Sequence, residues 1–188
     1  IFIFIFSIGP DTKSLSFFGI GILWTLLLLS STLSLRKFYQ DDFENGNIII
    51  LHLNGLSYEL IVLLKTISHF IFVQIPFLIS IPVASILLNL SLDKIYGLLL
   101  SFLIGSLILS GLGSISSSMN LLNTRNYLLG SVIVMVFSIP VIIFSVGIIN
   151  ADSNFNSLVS ILTGILLIIL AINPWASGAC IKIAVQNN

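Results

Sequence analysis

The chain has 188 residues, 57% hydrophobic and only 7% charged, with seven Lys and Arg against seven Asp and Glu for a formal net charge of zero. That balance excludes a water-soluble core, and with so few and such scattered basic residues it excludes recognition of nucleic acid through its phosphates. The single cysteine, Cys180, excludes an intrachain disulfide and a thiolate metal cluster, and reads as a small apolar packing residue.

No charge falls between Lys13 and Arg36, Lys65 and Asp93, Lys94 and Arg125, Arg125 and Asp152, or Asp152 and Lys182. Each interval can hold the roughly 20 apolar residues that a helix needs to cross about 30 Å of hydrocarbon, where a charge is costly. The spacing predicts an all-α membrane protein, a single polytopic transmembrane domain over 1–188. In chain order, residues 1–8 are apolar but would reach only about 12 Å as helix. The chain begins without Met and shows neither the basic start nor the cleavage site of a signal peptide, so they are expected to end a first span whose beginning is missing. Five complete spans follow, near 17–35, 66–88, 95–118, 127–149 and 158–181, making six in the intact protein.

Trp24 lies deep in the 17–35 span and is expected to pack. Segment 36–65 carries Arg36, Lys37, Asp41, Asp42, Glu44, Glu59 and Lys65, half of the chain's charges, and is the one segment outside the spans long enough to recognise a soluble partner. Leu35, Phe38, Tyr39 and Phe43 form an apolar stripe at helical spacing, opposite Lys37, Gln40, Asp41 and Glu44. This predicts a short amphipathic helix in the headgroup plane, stopped by Asn45-Gly46. It can be an interfacial anchor or a docking element. Residues 48–53 are apolar but too short to span, and are expected to return to the membrane surface or pack under the bundle. After the Asn54-Gly55 break, Ser57 is a natural N-cap with Glu59 in the first turn.

Pro76 and Pro82 in the 66–88 span, and Pro140 later, each remove a backbone hydrogen bond and favour a kink. In the 95–118 span Ser106, Ser110, Ser114 and Ser118 recur every fourth residue beside Gly105, Gly111 and Gly113. Small residues at that spacing let helices approach closely and hydrogen-bond across the contact, within one subunit or with a second copy of the chain. Trp175, after Asn173-Pro174, suits an interfacial belt. No span interior carries an acid, Lys or Arg, so neither a proton relay nor an ion-pair site of the pump type is legible. Orientation follows from Arg36, Lys37, Lys65, Arg125 and Lys182 on one side against Lys13 and Lys94 on the other. The richer side, with segment 36–65 and the C-terminus, is expected to be cytoplasmic.

Asp41-Asp42-Phe43-Glu44-Asn45-Gly46 after a basic and aromatic stretch, then Leu51, Lys65, His69 and Pro76 in order, resembles CcmB, the membrane-subunit family of the cytochrome c maturation ABC transporter. Gly9-Pro10, Gly21-Ile22-Leu23-Trp24 and Pro174-Trp175 fit the same pattern, so the resemblance spans the chain; Asn54-Gly55 replaces a common Ser-Pro. It implies a six-helix ABC-2-type bundle with a short cytoplasmic coupling helix in a bacterial or mitochondrial inner membrane. Its implied partners are an ATPase subunit, CcmA, which binds ATP, together with CcmC, CcmD and the haem chaperone CcmE. In that arrangement Arg36, Lys37, Tyr39, Asp41, Asp42, Phe43, Glu44 and Gly46 form the docking segment, with the acids toward the ATPase and Phe43 as anchor. Haem becomes a transported or handled substrate. Imidazole is a common axial haem ligand, but His52 and His69 show no matched pair projecting into one cavity, and the expected task of His69 is a hydrogen bond near the cytoplasmic interface. No phosphate-binding loop or nucleophile–base set is present, so the chain is not expected to be an enzyme. The function expected is haem export or ATP-driven release of the haem-loaded chaperone. An ABC-2 permease for a lipid, polysaccharide or drug, and a non-transporting assembly scaffold, are the alternatives.

Overall fold

The structure, a computed structural model, describes residues 2–9, 11–122, 128–151 and 154–187. Pro10, Arg125, Tyr127 and Asp152 lie outside the described residues, as does the side chain of Arg36. The order is α1 (Phe2–Ile8), α2 (Thr12–Glu44), α3 (Asn47–Leu53), α4 (Tyr58–His69), a π-helical turn (Phe70–Gln74), α5 (Ile75–Leu87), a 3-10 turn (Leu92–Lys94), α6 (Ile95–Leu122), α7 (Leu128–Ile149) and α8 (Phe155–Gln186). Among the described residues, five helical runs are long and apolar enough to cross a membrane: α2, α4 through α5, α6, the 130–149 part of α7, and α8.

The serine- and glycine-rich α6 is the central helix, buried along nearly its whole length and packed against α2, α7 and α8. A helix without bulk on several faces can be surrounded, which is why the small residues belong here and not on a lipid-facing span. Trp24, 1% exposed, stacks against Phe102 of α6 with ring centroids 4.5 Å apart, and Phe77 lies parallel to Phe102 at 6.3 Å. Trp175 is 74% exposed.

Several helices run past the limits suggested by the charges. The separate amphipathic helix expected from Leu35 onward is instead the last part of α2, which continues unbroken for 33 residues to Glu44. Its stripe does not lie in headgroups: Leu35, Phe38 and Tyr39 are buried inside the bundle, with Phe38 and Tyr39 joining Val62, Leu121 and Ile181 in a second apolar cluster. The same periodicity serves a helix packed on protein and one packed on lipid, and only the neighbours decide between them. At Gly46 the backbone turns to φ +74, and Gly46 N–H reaches the Phe43 carbonyl at 3.1 Å. Open space surrounds a side chain there, so Gly46→Ala is expected to cost about 1 kcal/mol through backbone strain alone and Gly46→Asn less, readable as a small fall in melting temperature. Ile48 of α3 is fully buried in the second cluster while Ile50 and Leu53 are exposed, so α3 is pinned under the bundle by one residue. Ser57 caps α4, its hydroxyl accepting from Leu60 N–H at 3.3 Å.

Pro76 is accommodated by the turn before it. Residues Phe70–Gln74 are π-helical, and Ile75 N–H bonds the Phe70 carbonyl five residues back. This wider turn takes up the mismatch that the proline ring imposes on the preceding carbonyls. Pro82, Pro140 and Pro174 lie inside α5, α7 and α8.

Candidate functional site

Two features outside simple packing stand at one end of the bundle, where the C-terminal part of α2, the start of α4 and the end of α8 meet; Gly178 of α8 lies against Glu59 at this end.

The first is the acidic tip of α2. Lys37, Asp41 and Glu44 are exposed, and Phe43 is half-buried against the second cluster. Asp42 is engaged within the chain: Lys65 of α4 forms an ion pair with its carboxylate, and Asn47 Nδ2 donates to its other oxygen at 3.0 Å. Glu44 accepts from Gln40 Nε2 at 2.6 Å, one helical turn back. Tyr39 is fully buried and its hydroxyl meets Ser114 Oγ at 2.7 Å. The predicted docking residues therefore divide into an outward set, Lys37, Asp41 and Glu44, an inward residue, Tyr39, and a bridge to α4, Asp42.

The second is a set of buried polar groups that ties four spans together. His69 of α4, 8% exposed, has Ser34 Oγ of α2 at 2.7 Å from Nε2 and Ser110 Oγ of α6 at 3.1 Å from Nδ1, and stacks on Phe38 at 4.6 Å. Whichever tautomer is present, one nitrogen donates and the other accepts, and a serine hydroxyl can answer either. A haem iron could reach His69 only by displacing one of these serines. His52, in the last turn of α3, stacks on Tyr58 and meets the Leu56 carbonyl at 2.9 Å.

Further along, Tyr39 Oη, Ser114, Ser177 and Asn173 form a chain, with Ser114 and Ser177 hydroxyls 3.3 Å apart, Ser177 donating to Asn173 Oδ1 at 2.9 Å, and Asn173 Nδ2 donating to Thr66 Oγ1 at 2.9 Å. Gln74 of the π-helical turn donates to Ser31 at 2.7 Å, and Ser117 to the Leu35 carbonyl at 2.8 Å. Ser31, Ser34, Thr66, Gln74, Asn173 and Ser177 were not singled out by sequence as partners. Gln74 and Asn173 carry the available signal: amides inside otherwise apolar stretches need a partner.

The small-residue stripe separates by task. Ser110 and Ser114 bond across helices, whereas Ser106 and Ser118 donate to their own helix at Leu103 and Ile115. Gly105 faces the Trp24 ring, Gly111 faces Ile169 of α8 and Gly113 faces Leu35. In the described part of this chain those contacts are intramolecular.

The family model for CcmB protein matches residues 1–184. The chain belongs to the CcmB family. It is 30% identical to Heme exporter protein B of Haemophilus influenzae over 183 residues, covering 96% of this chain and 83% of that protein. It is 32% identical to the protein of the same name from Bradyrhizobium diazoefficiens over 181 residues, 94% of this chain and 82% of the relative. The Escherichia coli K12 protein of that name is 30% identical over 187 residues, 98% and 85%. This CcmB chain is thus a multi-pass, all-α membrane protein of a permease family, and the acidic tip and the polar connections lie within the matched region.

Proposed function

We propose that this CcmB chain is the permease subunit of an ABC transporter of cytochrome c maturation, worked by the ATP cycle of a separate subunit, CcmA, with haem as the handled substrate. CcmC, CcmD and the haem chaperone CcmE complete the assembly in an inner membrane. The end bearing Lys37, Lys65 and Lys182 faces the cytoplasm, by the excess of basic residues there.

The observation that carries this reading is the unbroken α2. Its tip presents Asp41 and Glu44 to water, while the helix behind them runs through the bundle to its opposite end. Asp42–Lys65 and Tyr39–Ser114 fasten that tip to α4 and α6. A push on the tip is therefore delivered to rigid, packed helices and not to a loose loop, as rigid-body coupling needs. The docking face consists of Lys37, Asp41 and Glu44, with Gly46 ending the helix beside them.

Reversing Asp41 and Glu44 together to Lys should reduce co-purification of the ATPase subunit about tenfold, since two charge-assisted contacts are replaced by repulsion. Asp93→Lys, an exposed acid at the opposite end, is the control. Unchanged ATPase recovery with the double variant would overturn the docking assignment.

A further inference from the structure

The two lysines counted on the outer side, Lys13 and Lys94, are far apart in sequence yet line one recess of about 660 Å³, with Phe17 and Ile20 from α2 and Leu90 and Ser91 from the α5–α6 connection. The recess is built by the way α5 ends. Asn89 takes the left-handed conformation at φ 51, Asn89 N–H bonds the Ile86 carbonyl at 3.1 Å, and Leu90 N–H bonds the Ser85 carbonyl at 2.9 Å. This paired stop, with Asn in the position that glycine usually takes, throws Leu90 across the face of α2 at Gly19. A Cβ there would lie 3.0 Å from Leu90 Cδ2 and 3.2 Å from Leu88 Cβ, so the two walls of the recess are in firm contact at its floor.

Both charged residues that line it are lysines. Among the described residues the ion pair within 4.0 Å is Lys65–Asp42 at the other end, so neither lysine has a described carboxylate in contact. Lys94 is steadied by Asn150 Oδ1, to which its Nζ donates at 2.8 Å. Asp11, beside Lys13 in sequence, is turned to the start of α2. It accepts from the Ser14 hydroxyl at 2.6 Å and from the Ser14 and Lys13 N–H groups at 3.1 and 3.3 Å, which hold its carboxyl below the usual range. Asp93 is exposed and does not line the recess. Phe17 stands 80% exposed on the apolar wall. Two cations in a recess of small-molecule size, lined on one part by Phe17, Ile20 and Leu90 and on another by Ser16, Asn89 and Ser91, describe an amphiphilic ligand chemistry.

We propose that this recess binds an acidic amphiphile, with its anionic groups at Lys13 and Lys94 and its apolar body along Phe17, Ile20 and Leu90. Two sources share that chemistry: a tetrapyrrole bearing carboxylates, such as the haem in the relatives' names, and an anionic phospholipid of the adjoining leaflet. The site is at the opposite end of the bundle from the docking face, so binding measured without nucleotide tests it separately from the proposed coupling to an ATPase.

The intact complex, held in phosphatidylcholine nanodiscs without nucleotide, would be titrated with haemin by absorbance and with short-chain phosphatidylglycerol by native mass spectrometry. The double variant Lys13→Gln with Lys94→Gln is expected to bind one or both probes about tenfold more weakly, the loss of two charge-assisted contacts, while Lys13→Arg with Lys94→Arg retains binding. Sites on other subunits contribute equally to both proteins and cancel in the difference. A loss for haemin alone identifies the tetrapyrrole, a loss for phosphatidylglycerol alone identifies the lipid, and a loss for both supports a general acidic amphiphile site. Phe17→Asp, at an exposed position, supplies a second variant expected to weaken the same probe. Equal binding of both probes to wild type and all variants, or no saturable binding to wild type, would overturn the proposal.

Discussion

Gly105→Ala is expected to destabilise the protein by about 2–3 kcal/mol, and Gly105→Val by more, because a Cβ at Gly105 would lie 2.4 Å from Trp24 Cη2. The indole cannot retreat: Trp24 is 1% exposed and its far face meets Phe102. In detergent this corresponds to a fall of roughly 5–10 °C in melting temperature for a chain of this size. Trp24→Phe removes the obstructing atom. It also removes the indole Nε1, which is buried with no hydrogen-bond partner in the described structure, so the usual penalty for truncating a core tryptophan is reduced by the loss of an unsatisfied donor. The double variant is accordingly expected to be more stable than the sum of the single effects by about 1–2 kcal/mol. Strict additivity would show that the Gly105–Trp24 contact does not limit the approach of α2 and α6.

His69→Ala is expected to cost about 2–3 kcal/mol. It strips Ser110 of its partner, leaves Ser34 only the bond it donates to the Ser31 carbonyl, removes a ring stacked on Phe38, and leaves a void between α2, α4 and α6. Cytochrome c maturation should then fall in proportion to the amount of assembled complex and no further. His69→Gln, which keeps a donor and an acceptor on a flexible side chain, should recover a part of the stability. Measurement of complex abundance by native gel beside the yield of holocytochrome separates the roles. A normal amount of complex with maturation abolished would make His69 a participant in haem handling and not a fastener of helices.

The charge-free intervals placed five spans because lipid tolerates few ionised groups, a constraint that acts on local sequence regardless of what packs on it. The caps at Ser57 and Gly46 were legible for the same local reason: an N-cap hydroxyl and a left-handed glycine are recognised by spacing alone. The continuity of α2 past Leu35 was not. Nothing between Leu35 and Phe43 distinguishes an apolar stripe facing lipid from one facing α6, and the helix runs straight through. The gathering of charge in segment 36–65 was legible, but the inward place of Tyr39 and the bond between Asp42 and Lys65 depend on helices brought together from distant sequence.

Sequence by itself determined that this is a multi-span helical membrane protein and which family it resembles, because hydrophobic length, charge exclusion and short motifs are properties of contiguous residues. Only the tertiary structure decided which serines of α6 face other helices, that His69 is held between Ser34 and Ser110, and that Lys13 and Lys94 share one recess. Lipid supplies no partner for a buried amide, imidazole or hydroxyl, so each finds one on whichever helix the fold places beside it. That choice is made by the packing of whole helices, and no local stretch of sequence contains it.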